Sequence, residues 1–146
     1  QVVSAGGKVP KSIVVGEAPF KENGKLNPKK IGIHVDGIIM LNPAWPGWRD
    51  DGKTIKEYFR DGLVSSGHQF HPIYHESAHN HFEAIGADHH KAEFSNNSEE
   101  LMVAKKVSIR ATKDKDEFLA EVLAAKMAGR KFPGDVLDLY ERLGGQ

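Results

Sequence analysis

The sequence predicts a single α+β domain, with a small sheet formed early in the chain and helices formed later. β-prone apolar runs lie in the first third, where they flank Asp36-Gly37. After residue 52, apolar residues recur at helical spacing between capping residues and glycines. The chain has 146 residues, enough for one ordinary core, and no linker or repeat divides it. We therefore assign residues 1–146 to one domain.

The strands are predicted in a part of the chain that is rich in Gly, Lys and Pro. A short apolar run at 13–15 predicts one strand between loops. Two further β-prone runs, 31–35 and 38–43, lie on either side of Asp36-Gly37, a dipeptide that favours the tight turn of a β-hairpin. We expect this hairpin to provide an edge strand.

Five helices are predicted after the hairpin. Residues 54–57 have the form of a capping box, and apolar spacing predicts a helix over about 53–64. Pro72 suits a first helical turn, and the stretch 72–85 has no helix breaker before Gly86. The other three are predicted from Asn97 or Ser98 through Ala104, from about 115 to 128, and from Pro133 through Tyr140.

The composition excludes several classes of function. Twenty basic and 20 acidic side chains balance, so there is no electrostatic footprint for nucleic acid. The absence of cysteine excludes thiolate metal sites and a cysteine nucleophile. No run approaches the roughly 18 apolar residues of a membrane span, so we expect no membrane partner. The first residues include neither Met nor a signal-peptide layout; we expect a processed product or part of a longer protein, and localisation cannot be read from this end of the chain.

Seven of the eight histidines lie between residues 68 and 90. His75 and His79 are four residues apart, so a helix places both imidazoles on one face, at a separation that suits one zinc ion. Glu76 could then reach a zinc-bound water and act as general base, because zinc lowers the pKa of that water toward 7. A solvated, accidental histidine cluster is the alternative, but so polar a face is costly to bury without a partner.

A catalytic zinc ion needs a third protein ligand and one open position. The candidates are Glu83, His81, His89, His90, Glu117 and Glu121. His81 is two residues past His79 and points elsewhere on a helix, whereas Glu83 is four residues past His79 and could support a ligand from behind. His89 and His90 follow the helix end at Gly86, and Ile85 stands where the long metzincin pattern has histidine. Glu117 and Glu121 share one face of the helix predicted at 115–128. The residues alone leave both open.

Two segments together, His75-Glu76-Ser77-Ala78-His79 and Glu117-Phe118-Leu119-Ala120-Glu121, resemble the zincin-like peptidases related to the anthrax lethal factor catalytic domain. The chain is most similar to the branch found in phage structural and head-morphogenesis proteins. This resemblance is clearest from His68 to Gly145, about half the chain, and fits the first half only loosely. It implies a zincin-like fold: a small antiparallel or mixed sheet, an active-site helix and C-terminal helices. It also implies Zn²⁺, a protein or peptide substrate, and phage structural proteins as partners.

By that resemblance, Glu117 is the third zinc ligand and Glu121 lies behind it, where it orients a ligand histidine. The alternative is that Glu117 is a capping residue paired with Asp114, and then Glu121 is the ligand. The family often has tyrosine seven residues before the ligand glutamate, placed to stabilise an oxyanion. Here that position is Arg110, which either donates to the oxyanion or is a surface arginine without a role. Ala78 replaces a frequent glycine, a minor departure.

We therefore predict a zinc-dependent endopeptidase with His75, His79 and Glu117 as ligands, Glu76 as general base and Arg110 as a further catalytic candidate. The alternative is a catalytically inactive module of the same fold with a structural or interaction role in a phage particle. A toxin or effector peptidase with a host target is a third hypothesis. The intact Glu76 favours activity, because zinc retention alone does not need it. The resemblance implies the phage virion or the host cytoplasm as locations.

The remaining prominent residues are expected to be structural. The aromatic loop 45–48 either contacts an extended substrate beside the edge strand or packs over a small core. His34, His68 and His71 are expected to be ordinary surface or loop histidines. Tyr140 lies in an apolar pattern and is expected in the core.

Overall fold

A computed structural model describes residues 12–146, so the first 11 residues of the predicted N-terminal region lie outside it. Within residues 12–146, the chain forms five short strands and five α-helices, which confirms the predicted α+β class. The strands are β1 (Ser12–Val15), β2 (Lys21–Glu22), β3 (Lys25–Leu26), β4 (Gly32–Val35) and β5 (Ile38–Leu41). The helices are α1 (Lys53–Arg60), α2 (His71–Ala84), α3 (Glu99–Lys105), α4 (Lys115–Met127) and α5 (Gly134–Arg142).

The larger sheet is mixed and has the strand order β1-β5-β4. β1 runs parallel to β5, whereas β4 pairs antiparallel with β5 and places His34 opposite Ile39. Asp36 and Gly37 join β4 to β5 with φ angles of 51° and 80°, the left-handed conformations that a tight two-residue hairpin turn requires. The predicted hairpin is therefore confirmed, and β4 is an edge strand.

A second, two-stranded sheet was not predicted. β2 and β3 pair antiparallel across Asn23-Gly24, whose φ angles of 50° and 76° again belong to the left-handed region. Asn-Gly is a strong hairpin signal. It is easily missed here because the flanking residues are mostly polar and show no β-prone run.

The helix caps are largely those expected from the sequence. Ser98 accepts a hydrogen bond from the backbone N–H of Leu101 at the start of α3, and Asp114 accepts one from Glu117 at the start of α4. Pro72 lies in the first turn of α2, which begins one residue before it. α2 carries the whole motif at 75–79.

The first helix differs from its prediction in two respects. The expected capping box is wrong, because Thr54 lies inside α1 and the backbone N–H of Thr54 donates to Asp50 instead. The helix also ends at Arg60 and not near residue 64. Gly62 adopts φ 74°, a conformation that ends a helix.

α2 is the central element, because it packs against α4 on one side and against β4 and β5 on the other. The main core lies among the last four helices, where Phe118, Leu119 and Tyr140 are fully buried, as predicted for Tyr140. Within residues 12–146, every helix is too short or too polar to cross a lipid bilayer.

A smaller core contains the aromatic loop. Trp45 is buried and packs with Ile55 and Val64, while the indole N–H of Trp48 donates to the backbone carbonyl of Asn42. The substrate-contacting alternative for this loop is therefore wrong for Trp45. Burial of an indole ring removes a large apolar area from water, and this outweighs the polarity of the surrounding loop.

Candidate metal centre

Three histidines form a stripe along one face of α2. His71, His75 and His79 follow one another at intervals of four residues, so their side chains lie one turn apart. This face packs against α4, which presents Glu117 and Glu121 at the same interval. The predicted polar face is therefore buried against carboxylates, and this meets the requirement that buried polar groups have partners.

The outer group consists of His75, His79 and Glu117. The Nε2 atoms of the two histidines lie 3.1 Å apart. A Glu117 carboxylate oxygen lies 3.2 Å from Nε2 of His75, and the other lies 3.8 Å from Nε2 of His79. Two ligands at about 2.0–2.1 Å from a tetrahedral zinc ion are about 3.3 Å apart. The two imidazole nitrogens and the Glu117 carboxylate therefore lie close enough together to hold one metal ion.

The inner group consists of His71, His75 and Glu121, all almost completely buried. Oε1 of Glu121 lies 3.1 Å from Nε2 of His71 and 2.8 Å from Nδ1 of His75. The contact with His75 does not have the geometry of a hydrogen bond. This group also has ligand atoms within 4.8 Å of one another, so either group could hold a metal ion.

The inner carboxylate is already occupied by protein donors. Oε2 of Glu121 accepts hydrogen bonds from the backbone N–H of Ser65 at 2.6 Å and from the hydroxyl of Ser108 at 2.9 Å. Nδ1 of His71 lies 3.0 Å from the hydroxyl of Ser66. Because a carboxylate only accepts, Nε2 of His71 carries the hydrogen and Nδ1 accepts from Ser66.

Electrostatics distinguish the two outer histidines. Burial opposes the charge on His75, yet the adjacent carboxylates of Glu117 and Glu121 raise the pKa of its imidazole to about 9. Burial, reinforced by the charge on His75, lowers the pKa of His79 to about 3. Burial also lowers the pKa of His71. The outer group therefore contains one displaceable proton, on His75, and one neutral imidazole that is ready to bind a cation.

Both glutamates of α4 are ionised. Burial opposes their charge, but hydrogen bonding to His75, and then the charges on His75 and Arg110, hold the pKa of Glu117 far below its usual range. The hydrogen bond from His71 and the close contact with His75 likewise outweigh burial and hold the pKa of Glu121 well below normal.

A cleft of about 590 Å³ is lined by His79 and Glu117 of the outer group, and by no residue of the inner group. His79, Glu117 and Glu76 line it on the helical side, and Gly32 and Ile33 of β4 line it on the sheet side. Glu76 is 6% exposed, and burial raises the pKa of its carboxyl group. A Cβ atom at Gly32 would lie 3.1 Å from the backbone oxygen of Met40 and 3.3 Å from Cγ of Glu76, so the glycine allows the Glu76 side chain to pack closely against β4.

Arg110 also lies at the cleft, but its Nε donates to a Glu117 oxygen at 3.0 Å. Arg110 thus lies beside the outer group, and its direct partner is a carboxylate. None of the three tyrosines, all of which fall within residues 12–146, lines the cleft.

Two histidines that were expected to be ordinary surface or loop residues are not. His71 is buried on α2 and contacts Glu121. His34 on β4 lies 2.9 Å from a carboxylate oxygen of Glu83. His68 does lie in the loop before α2, where it accepts from the backbone N–H of Phe70.

The sequence reasoning missed His71, Ser65, Ser66 and Ser108. One available signal was the spacing, since His71 precedes His75 by four residues and extends the stripe by one turn. The serines gave no signal, because Ser65 lies 56 residues and Ser108 lies 13 residues from Glu121 in the chain.

No family model, no curated protein and no solved structure matches this chain. The functional assignment therefore depends on the geometry and chemistry of the residues themselves.

Proposed function

We propose that this protein is a zinc-dependent endopeptidase of the zincin-like class, with His75, His79 and Glu117 as zinc ligands and Glu76 as general base. The observation that carries the proposal is the convergence of two imidazole nitrogens and the two Glu117 carboxylate oxygens, with contacts of 3.1–3.8 Å, beside an open cleft that His79 and Glu117 line. Two imidazoles and one carboxylate form a typical set for catalytic zinc, which leaves one position for substrate or water.

Zinc at such a site supplies a Lewis acid, which acidifies water and polarises a carbonyl group. The chain's own contribution begins with Glu76, one residue from His75 and facing the cleft, where its carboxylate can take a proton from the attacking water and deliver it to the leaving amine. Its raised pKa suits this exchange, because a base that is poised nearer neutrality can both accept and return a proton.

The edge strand β4 supports a peptide as the substrate. Gly32, Ile33 and His34 line the cleft, and among residues 12–146 β4 has a sheet partner only on its β5 side. An extended peptide can pair with the free backbone groups of such an edge. This pairing would place the peptide along the cleft beside Glu76 and the ligands.

The first test is metal analysis. We expect purified protein to bind one Zn²⁺, and zinc at a hundredfold excess over its Kd to stabilise the fold by about 2.7 kcal/mol. For a chain of this size, this is a rise in Tm of roughly 5–10 °C. Protein that binds no zinc after exposure to excess metal would contradict the proposal.

The second test separates a peptidase from an inactive module of the same fold. Glu76→Gln should keep its zinc and lose about 10²–10⁴-fold in peptide cleavage, because only the general base is removed. Glu83→Gln is the matched control, since Glu83 lies on the same helix and cleft but pairs with His34. Equal cleavage by wild type and Glu76→Gln would exclude this base, and zinc binding without any cleavage would favour the inactive module.

A further inference from the structure

Glu121 is a carboxylate with no solvent exposure, so its ionised form depends entirely on the groups around it. Its two oxygens have different partners. Oε2 is held by the Ser65 N–H and the Ser108 hydroxyl, whereas Oε1 faces only the rings of His71 and His75 among the contacts described above. The orientation of Oε1 toward His75 therefore depends on His71.

His71 is itself fixed on its other side. The Ser66 hydroxyl lies 3.0 Å from Nδ1 of His71, which leaves Nε2–H to donate to Glu121. The neutral ring is thus held in one tautomer. The chain of contacts runs from Ser66 through His71 and Glu121 to His75, and ends at Nε2 of His75 in the outer group.

The guanidinium of Arg130 joins the backbone segments that carry Ser65 and Ser108. NH1 of Arg130 donates to the carbonyl of Ser65 at 2.7 Å and to that of Val107 at 3.0 Å. The guanidinium lies 4.6 Å from the centre of the Phe132 ring. The donors to Glu121 therefore stand on two segments that Arg130 joins, together with the backbone hydrogen bonds from Ile109 to Gly62 and from Arg110 to Leu63.

We infer that His71 is a positioning residue for the metal centre: it aligns the Glu121 carboxylate, which orients His75 so that Nε2 faces the ion. This inference rests on the proposed zinc site. It assigns a role to a residue that does not bind the metal in the proposed arrangement. Groups that orient metal ligands typically change metal affinity by about 10–100-fold when they are removed.

The test compares His71→Phe with His71→Gln. Phenylalanine fills the volume without a donor, and glutamine places an amide N–H near the position of Nε2. We expect His71→Phe to weaken zinc binding about tenfold and His71→Gln to recover most of that loss. The visible absorption bands of the Co²⁺-substituted protein should change in His71→Phe and return in His71→Gln, since they report the ligand geometry.

Two further variants guard against a simple folding defect. Ser66→Ala keeps the His71 imidazole but removes the hydroxyl that contacts its Nδ1 atom. This change should weaken zinc binding by about threefold, which is a smaller effect than that of His71→Phe. Ser77→Ala is the matched control, since this buried hydroxyl on α2 has no hydrogen-bond partner within residues 12–146. It should leave zinc affinity unchanged.

The outcomes separate the two claims. Equal zinc affinity and Co²⁺ spectra in wild type, His71→Phe and Ser66→Ala would overturn the positioning role while the zinc site stands. Failure of the wild type to bind zinc would overturn the proposed function, and this inference with it. Loss of binding in His71→Phe without recovery in His71→Gln would also contradict the role assigned to the Nε2 donor.

Discussion

Two groups of two histidines and one glutamate meet at His75, and they differ in what surrounds their ligand atoms. In the inner group, Glu121 already accepts from Ser65, Ser108 and His71, and no solvent reaches it. In the outer group, the atoms of His79 and Glu117 face one another at the wall of a cleft. The same residue types thus make a satisfied polar network on one side and a chelating set on the other.

The difference shows that residue composition does not by itself define a metal site. A carboxylate that is fully hydrogen-bonded by the protein would have to lose those donors before it could bind an ion, at a cost of roughly 1–3 kcal/mol for each group left unpaired. Glu117 has one close hydrogen-bonding arginine and a partly open surface. We therefore propose the outer group as the binding set and the inner group as its support.

The largest expected effect follows from removing an outer ligand. Glu117→Gln should weaken zinc binding by about a hundred- to a thousandfold. Structural zinc is worth about 10–16 kcal/mol over four ligands, so each ligand carries roughly a quarter of that energy. Competition with a chromophoric chelator measures the affinity. An unchanged Kd would place the ion elsewhere.

Glu121→Gln is the paired change in the inner group, and its effect should be smaller, about 10–100-fold, because Glu121 acts through His75. The same competition assay compares the two variants. Metal-free thermal unfolding serves as the folding control, because an amide must place one N–H against donors that surround Glu121. The reverse order, with Glu121→Gln the more damaging to affinity, would identify the inner group as the metal site.

The shared histidine makes zinc binding sensitive to pH. Near neutrality His75 carries a proton, since its pKa is raised to about 9, whereas His79 is neutral. Zinc must displace that one proton, so affinity should rise about tenfold for each pH unit between pH 6 and 8. Calorimetric titration in two buffers of different ionisation enthalpy should show release of about one proton. A pH-independent affinity would mean that His75 is not a ligand.

The smallest expected effect concerns Arg110, whose Nε donates to the Glu117 carboxylate. Arg110→Ala should raise zinc affinity by about threefold, because a partly exposed ion pair that competes for Glu117 is worth less than about 1 kcal/mol. Lys113→Ala is the control, since this exposed amine lies 3.9 Å from Glu117 and should contribute nothing measurable. Weaker zinc binding in Arg110→Ala would show that the arginine holds the ligand in place.

Sequence spacing predicted the helices and the main hairpin, because their signals are local. The acceptor at Ser98, the cap at Asp114 and the Asp36-Gly37 turn each act within four residues of their partners. The same local logic failed at Thr54, where Asp50 competed for the same backbone N–H. When two possible capping residues lie close together in sequence, the path of the preceding loop decides which of them caps the helix, and the sequence does not show that path.

The candidate ligand residues could be predicted from the sequence, whereas the buried contacts behind them could not. The four-residue intervals fixed which faces of α2 and α4 carry His75, His79 and the two glutamates. Whether Glu117 or Glu121 faces the cleft depends on how α4 rotates against α2, which packing decides. The burial of His71 against Glu121 depends on a contact 50 residues away in the chain, which no local pattern reports.

The most direct measurement is a crystal structure of the zinc-loaded protein with anomalous diffraction data collected at the zinc edge. We predict a single strong anomalous peak between Nε2 of His75, Nε2 of His79 and the Glu117 carboxylate, with Glu121 in contact with Nδ1 of His75. A peak between His71, Nδ1 of His75 and Glu121, or no peak in fully loaded crystals, would contradict this account.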